Sequence, residues 1–341
     1  MIHTYLRRVI AGEHLTRVEA AEVMRQLMEG TVTPAQQGAL LTALHMKGET
    51  VEELTGFAEV MRQHAVPVSL GEDEAVDTCG TGGDGGKTFN VSTATAIVAA
   101  SLSVKVAKHG NRSVSSRSGS SDVLEALGVE VQQTATEAAA TLRQLGICFM
   151  FAPQFHQSMR HVMSTRQQLG FRTVFNLLGP LTNPAGVKRQ LLGVYDRALT
   201  EPLARVLQAL GSERALVVAS EDGLDEISVS ATTQVSELCD GQVQTYHLEP
   251  AHFGLPQHEL TDVAGGDPTV NAASIRAVFA GKKGAARDIV VANTAAVLYL
   301  AERANSLREG ARLAEQALDD GAAAAKLNEM TAYTGGERHV S

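Results

Sequence analysis

The segment DTCGTGGDGGKTFNVSTATAIVAA, Asp77 to Ala100, carries the glycine spacing of two phosphate-binding motifs and completes neither. Gly80, Gly82 and Gly85 satisfy GxGxxG behind an apolar run. That dinucleotide motif also wants an acidic residue about 20 positions later to hold ribose hydroxyls. Lys105 and Lys108 stand there instead. GKT at 86–88 resembles the end of a P-loop, but the first glycine of that pattern would fall on Thr81. Beneath both motifs lies a common chemistry. A strand ending at Cys79 and a loop of small residues let backbone N–H groups approach an anion. A helix beginning near Ser92 or Thr93 then offers its unpaired amides and positive dipole end. Asn90, Ser92 and Thr93 add side-chain hydrogen bonds. A glycine-rich turn without a ligand is the alternative.

The surrounding charge favours an anion. From Gly85 to Ser121 there is no Asp or Glu, while Lys87, Lys105, Lys108, Arg112 and Arg117 all occur, in a chain of formal net charge −9. A second polar loop, KHGNRSVSSRSGSSD, follows the next strand and leads into the helix DVLEALG. Two such loops, each following a strand and opening a helix, can converge at one edge of a parallel sheet, where α/β folds bind ligands. An extended, multiply phosphorylated molecule fits both; a solvated basic face is the competing reading. Further on, SEDGLDEISVS places Asp225 and Glu226 side by side in a glycine-containing loop. Adjacent acids are common on surfaces. Opposite phosphates, they supply the hard oxygen ligands that Mg²⁺ takes together with substrate phosphates and water.

The elements that would hold these loops follow from periodicity. Residues 1–70 predict three short helices. Thr16 with Glu19 and Thr50 with Glu53 form capping boxes, and Thr33 caps a helix begun by Pro34. From residue 71 to 341 short apolar runs alternate with helical segments, which predicts a largely parallel central sheet flanked by helices. AVDTC, SVKVAK, VEVQQ, ICFMFA, QLLGVY and ALVVAS are the expected strands. Residues 231–262 suggest an antiparallel edge. A helix near 156–185 is expected to join the N-terminal bundle in space. The fold class is therefore α/β with a smaller all-helical subdomain, the bundle too small to stand alone.

Composition narrows the function. A pI near 5.7 and net charge of −9 argue against nucleic acid as partner. Three widely spaced cysteines give neither a zinc motif nor a disulfide framework. No apolar run is long enough for a signal sequence or a membrane span. The expectation is a cytoplasmic protein with no membrane association.

Taken together, GTGGDGGKTFNVST, KHGNRSVSSRSGSSDVLEALG, FMFAPQFHQSMRHVMSTRQQLGFRTVFNLLGPLTNP and DGLDEIS, in this order, resemble the anthranilate phosphoribosyltransferase family of tryptophan biosynthesis. The resemblance spans essentially the whole chain. It implies a nucleoside phosphorylase/phosphoribosyltransferase-like fold, dependence on Mg²⁺, and a homodimer formed through the helical subdomain. It also implies transfer of the 5-phosphoribosyl group from 5-phosphoribosyl 1-diphosphate to anthranilate. By motif, the sugar diphosphate falls to Gly80, Gly83, Asp84, Thr88, Asn90, Val91, Ser92, Thr93, Lys108, His109, Gly110, Asn111, Arg112, Ser113, Val114, Ser115, Ser116 and Ser120. Anthranilate falls to Gly80, Asn111 and Arg166, with His109, His156 and Pro180 lining its approach. Magnesium falls to Ser92, Asp225 and Glu226. No general base is assigned, because the amine of anthranilate is already neutral and nucleophilic. A nucleoside phosphorylase of the same architecture and a non-catalytic nucleotide-binding protein are the rival readings.

Overall fold

Local capping chemistry sets the helix starts of the N-terminal region in the computed structural model, which describes residues 2–71, 74–82, 87–113 and 117–335. Thr16, Thr33 and Thr50 each accept a hydrogen bond from the backbone three residues on, and Glu19, Gln36 and Glu53 return it. The helices Arg17–Met28, Pro34–Lys47 and Val51–His64 follow. A fourth helix, Ile2–Ile10, precedes the three expected ones and buries Ile2 and Val9.

Seven strands form one sheet: β1 Val76–Gly80, β2 Val106–Gly110, β3 Ile147–Phe151, β4 Arg189–Gly193, β5 Arg214–Ser220, β6 Thr233–Cys239 and β7 Gln242–Leu248. Their order is β3-β2-β1-β4-β5-β6-β7. The first five run parallel, and β5, β6 and β7 pair antiparallel. The β6–β7 hairpin turns at Asp240-Gly241, both at positive φ, as a tight turn between right-twisted strands requires. Because β1 lies between β2 and β4, the winding direction reverses at the β1–β4 boundary. A crevice opens there at the carboxyl ends of the strands. The register sets Gly80 opposite Gly193 at its lip.

One expected strand is absent. VEVQQ, residues 129–133, is an extended connection: the Glu130 N–H donates to Thr334 Oγ1 at 3.1 Å and that of Gln132 to its neighbour Glu130 at 2.7 Å. Val129 and Val131 are buried all the same, which explains the strand-like alternation. The glycine-loop helix also starts earlier than expected, at Val91 with Asn90 as its cap residue.

One face of the sheet packs under the helices Val91–Ser101 and Ala285–Leu300. The other face does not stop at the α/β layer. Leu192, Val194, Val217 and Ala219 share a continuous core with Leu54, Phe57 and Met61 of the bundle and with Val162, Val174 and Leu178. Polar ties cross the same junction: Gln37 donates to the His161 carbonyl at 3.0 Å and accepts from Thr165 Oγ1 at 2.7 Å. Arg62 donates to the Leu181 carbonyl at 2.7 Å. The helices Arg160–Leu169 and Val174–Leu181 thus pack against the N-terminal helices.

Asn293, fully buried in the helix Ala285–Leu300, fixes the acidic-pair loop to this frame. Its side chain accepts from the Ile227 N–H at 3.0 Å and donates to the Ile227 carbonyl at 2.9 Å. Asn293→Ala strands both groups away from water and is expected to cost about 2–4 kcal/mol in urea unfolding. A loss below about 0.5 kcal/mol would show that other groups anchor the loop.

Candidate active site

Beyond Gly80 the chain crosses the end of β4, where the Thr81 N–H donates to the Gly193 carbonyl at 2.9 Å. The next amide, of Gly82, donates to Asp225 Oδ2 at 2.9 Å. Gly193 makes room for this approach: a Cβ there would lie 1.7 Å from the Asp225 carbonyl oxygen. From the other side the Ser92 N–H, in the first turn of its helix, donates to Glu226 Oε1 at 3.1 Å. The acidic pair therefore sits against the amides that the sequence assigned to an anion.

Lys108 points into the floor beneath, 3% exposed. Its Nζ donates to the Thr78 carbonyl, to Thr78 Oγ1 at 3.2 Å and to Ser92 Oγ at 3.3 Å. Burial pulls its pKa down, against the opposing charges of Asp77 and Glu226. Asp77 is fully buried and its carboxyl is raised to about 6, by loss of water first, with Lys108 opposing. Its oxygens accept from the His109 N–H at 3.2 Å and from Asn183 Nδ2 at 2.8 Å. Gln190 completes the link, donating to the Pro180 carbonyl at 2.8 Å and reaching Asp77 Oδ2 at 3.5 Å.

The second loop is held through Asp122, which accepts from the Ser113 N–H at 3.0 Å and the Gly119 N–H at 2.9 Å. Ser120 Oγ donates to the Asn111 carbonyl at 3.3 Å. Arg112, which lines the cavity, also pairs with Asp122 at 2.9 Å and Glu125 at 2.7 Å, over the ring of Phe151. Asn90 bridges to this loop, donating to the Ser118 carbonyl at 3.1 Å and accepting from Ser118 Oγ at 3.0 Å.

Across the crevice, Arg166 comes from the helix Arg160–Leu169. Its guanidinium lies 5.1 Å over the Phe175 ring, and burial lowers its pKa. The rings of His109 and His156 stand 5.1 Å apart. Burial pushes His109 down to about 3, with the neighbouring His156 opposing its charge further, and pushes His156 down to about 4. Both imidazoles are neutral at pH 7.

These parts enclose a cavity of about 270 Å³. Of the residues singled out by sequence, it is lined by Gly80, Thr88, Asn90, Val91, Ser92, Lys108 to Ser113, Ser120, Arg166, Pro180, Asp225 and Glu226. Two do not reach it. Thr93 faces inward in the helix, 1% exposed, and His156 lies behind His109. Gly83, Asp84, Val114, Ser115 and Ser116 lie outside the described residues. Sequence reasoning missed the apolar wall of Ala152, Phe175 and Gly179, which has no motif, and the supports Asp77 and Gly193. A glycine closing the apolar run QLLG was a signal that another backbone approaches there.

The donor chemistry fits magnesium. Asp225, Glu226 and the Ser92 hydroxyl offer hard oxygens on one wall of the cavity. Among the described residues no three acidic, His or Cys side chains form a cage of their own. That combination suits an ion that completes its shell with substrate phosphates and water.

A crevice of this kind, joining an α/β sheet to a helical bundle, defines a glycosyl transferase. The Glycosyl transferase family, helical bundle domain, matches residues 3–65, and the Glycosyl transferase family, a/b domain, matches residues 72–324. The chain is 51% identical over 341 residues to the anthranilate phosphoribosyltransferase of Brevibacillus brevis, covering 100% of both. It is 42% identical to the crystal structure of the Thermus thermophilus enzyme, with a TM-score of 0.91 over 97% of this chain and 99% of that one. The Saccharomyces cerevisiae enzyme in complex with PRPP and Mg is 30% identical, with a TM-score of 0.87 and 98% of each chain covered. The chain belongs to the anthranilate phosphoribosyltransferase family.

The buried groups make stability depend on pH in opposite senses. His109 and His156 titrate lower folded than the ~6.5 of an unfolded chain, so the unfolded state binds more protons and stability falls as pH drops below about 6.5. Asp77 titrates higher folded than unfolded, so it offsets part of that loss as pH falls through 6. The melting temperature is expected to fall between about pH 7.5 and 5, less steeply in His109→Gln and more steeply in Asp77→Asn. Identical pH slopes in all three proteins would contradict these protonation states.

Proposed function

We infer that this chain transfers the 5-phosphoribosyl group of 5-phosphoribosyl 1-diphosphate to the amine of anthranilate. Pyrophosphate leaves, and N-(5-phosphoribosyl)anthranilate forms in tryptophan biosynthesis. The observation that carries the reading is the meeting, in one cavity, of two amide-bearing loops, a carboxylate pair and a buried arginine, in a chain that matches its relatives from end to end.

In this reading the amides of the glycine loop, Lys108 and the Asn111–Ser120 loop hold the phosphoryl oxygens. Ser92, Asp225 and Glu226 hold magnesium, which supplies charge neutralisation for the diphosphate when bound. Arg166 pairs with the anthranilate carboxylate through a planar, two-point contact, with Asn111 beside it. His109 and Pro180 shape the approach, and the neutral state of His109 avoids a second cation facing the developing oxocarbenium character. As the C1–oxygen bond breaks, its electron pair leaves with pyrophosphate, and the amine nitrogen bonds C1 and then sheds a proton to water. Alignment and field carry the rate, so no basic side chain is required. The complex of the yeast enzyme with 4-fluoroanthranilate supports an aryl carboxylate as acceptor.

Residues 1–70, with the helices Arg160–Leu169 and Val174–Leu181, form the acceptor-side domain in this reading, and residues 71–341 the sugar-diphosphate side. Exposed Ile10, Val18 and Met46 on the bundle support a homodimer through the helical subdomain. Three free cysteines and, among the described residues, no helix long and apolar enough to cross a membrane support a cytoplasmic setting.

Incubation with anthranilate, 5-phosphoribosyl 1-diphosphate and Mg²⁺ is expected to extinguish anthranilate fluorescence. Arg166→Ala is expected to raise KM for anthranilate about tenfold or more while KM for the sugar diphosphate stays within about twofold. An equal rise in both would remove Arg166 from the acceptor site.

A further inference from the structure

A third segment, far along the chain, closes against the end of the glycine loop. Ala264 pairs with Thr88 in an isolated antiparallel bridge, and the Gly265 N–H donates to the Lys87 carbonyl at 3.1 Å. Only glycine fits at 265, since a Cβ there would lie 2.2 Å from the Thr88 carbonyl oxygen. The helix that follows, Pro268–Phe279, is anchored in the main core by Ile275 and Phe279 and tied to the Leu127 carbonyl by Arg276 at 2.8 Å. From its first turn Asn271, 2% exposed, accepts from the Gly266 N–H at 2.7 Å and donates to Asn90 Oδ1 at 2.9 Å. The same Asn90 oxygen accepts from Ser118 Oγ at 3.0 Å, and Asn90 Nδ2 donates to the Ser118 carbonyl at 3.1 Å.

We propose that Asn271 is a positioning residue for sugar-diphosphate binding: it locks the Asn90 carboxamide, and through it the spacing between the glycine loop and the Asn111–Ser120 loop. This rests on the phosphoribosyltransferase reading above. Asn271 does not itself line the cavity, whereas Asn90 and Ser118 both do. The carboxamide at 90 therefore serves as a strut between loops, held from opposite sides by a rigid helix and by the loop it spans. A neutral amide suits the position, because it donates to Asn90 without bringing a carboxylate toward phosphate.

The test is calorimetric binding of 5-phosphoribosyl 1-diphosphate with Mg²⁺ to the full chain and to Asn271→Ala, Ser118→Ala and the double variant. Each single change is expected to weaken binding about tenfold, with KM for anthranilate within about twofold. Both act through one oxygen, so the double variant is expected to be about ten- to twentyfold weaker, well short of the ~hundredfold product of independent effects. If Asn271→Ala does not fold, Asn271→Leu fills the same volume without a charge, removes the donor to Asn90, and takes its place in the cycle. Unchanged affinity in the Asn271 variant, a multiplicative double variant, or an equal loss for anthranilate overturns the proposal. Loss of turnover in the wild type with binding intact would instead sink the transferase reading, and absence of binding to the wild type sinks both.

Discussion

Two carboxylates and a set of phosphoryl oxygens cannot share one small cavity unless positive charge lies between them. At a few ångströms the repulsion in a partly desolvated site far exceeds thermal energy. Asp225 and Glu226 occupy amides of the glycine loop and the first helical turn, at Gly82 and Ser92, which are the groups an anion would otherwise take. In the proposed reading, magnesium held by Asp225, Glu226 and the Ser92 hydroxyl would supply that positive charge, and the structure around these residues holds their arrangement still.

The sheet does so through its topology. The β1–β4 switch point opens the crevice, Gly193 admits the acidic loop to within contact of the strand end, and Asn293 clamps that loop from behind. Beneath, the buried Asp77 offsets the charge of Lys108 and orders His109 and, through Gln190, the Pro180 carbonyl. Burying both charges is costly, and such pairs are weak evidence for stability. Here the arrangement joins the floor of the cavity at Lys108 to its wall at Pro180. Arg166 completes the crevice from helices whose apolar faces merge with the bundle, so the placement of its guanidinium depends on that shared core.

Much of this was legible in the sequence because the relevant physics is local. Capping boxes at Thr16 and Thr50, strand-then-glycine-then-helix order at residues 77–100, and the acid-free run from Gly85 to Ser121 all act over short stretches. What escaped was decided by packing across long separations. Val129 and Val131 alternate like a strand, yet the Glu130 N–H between them donates to the Thr334 side chain, 204 positions away. Arg112 belongs to a basic run, and nothing in that run announces its ion pairs with Asp122 and Glu125 of the next helix. Asp77 and Gln190 are 113 positions apart and share a bond that no motif announces.

The most direct test of the cation constraint is the affinity of 5-phosphoribosyl 1-diphosphate for the wild type and for Asp225→Asn/Glu226→Gln, by calorimetry across a magnesium series. Binding to the wild type is expected to tighten by at least about tenfold from chelator to saturating Mg²⁺, while the neutralised variant binds with little dependence on the ion. Equal affinity of the wild type with and without magnesium would contradict it.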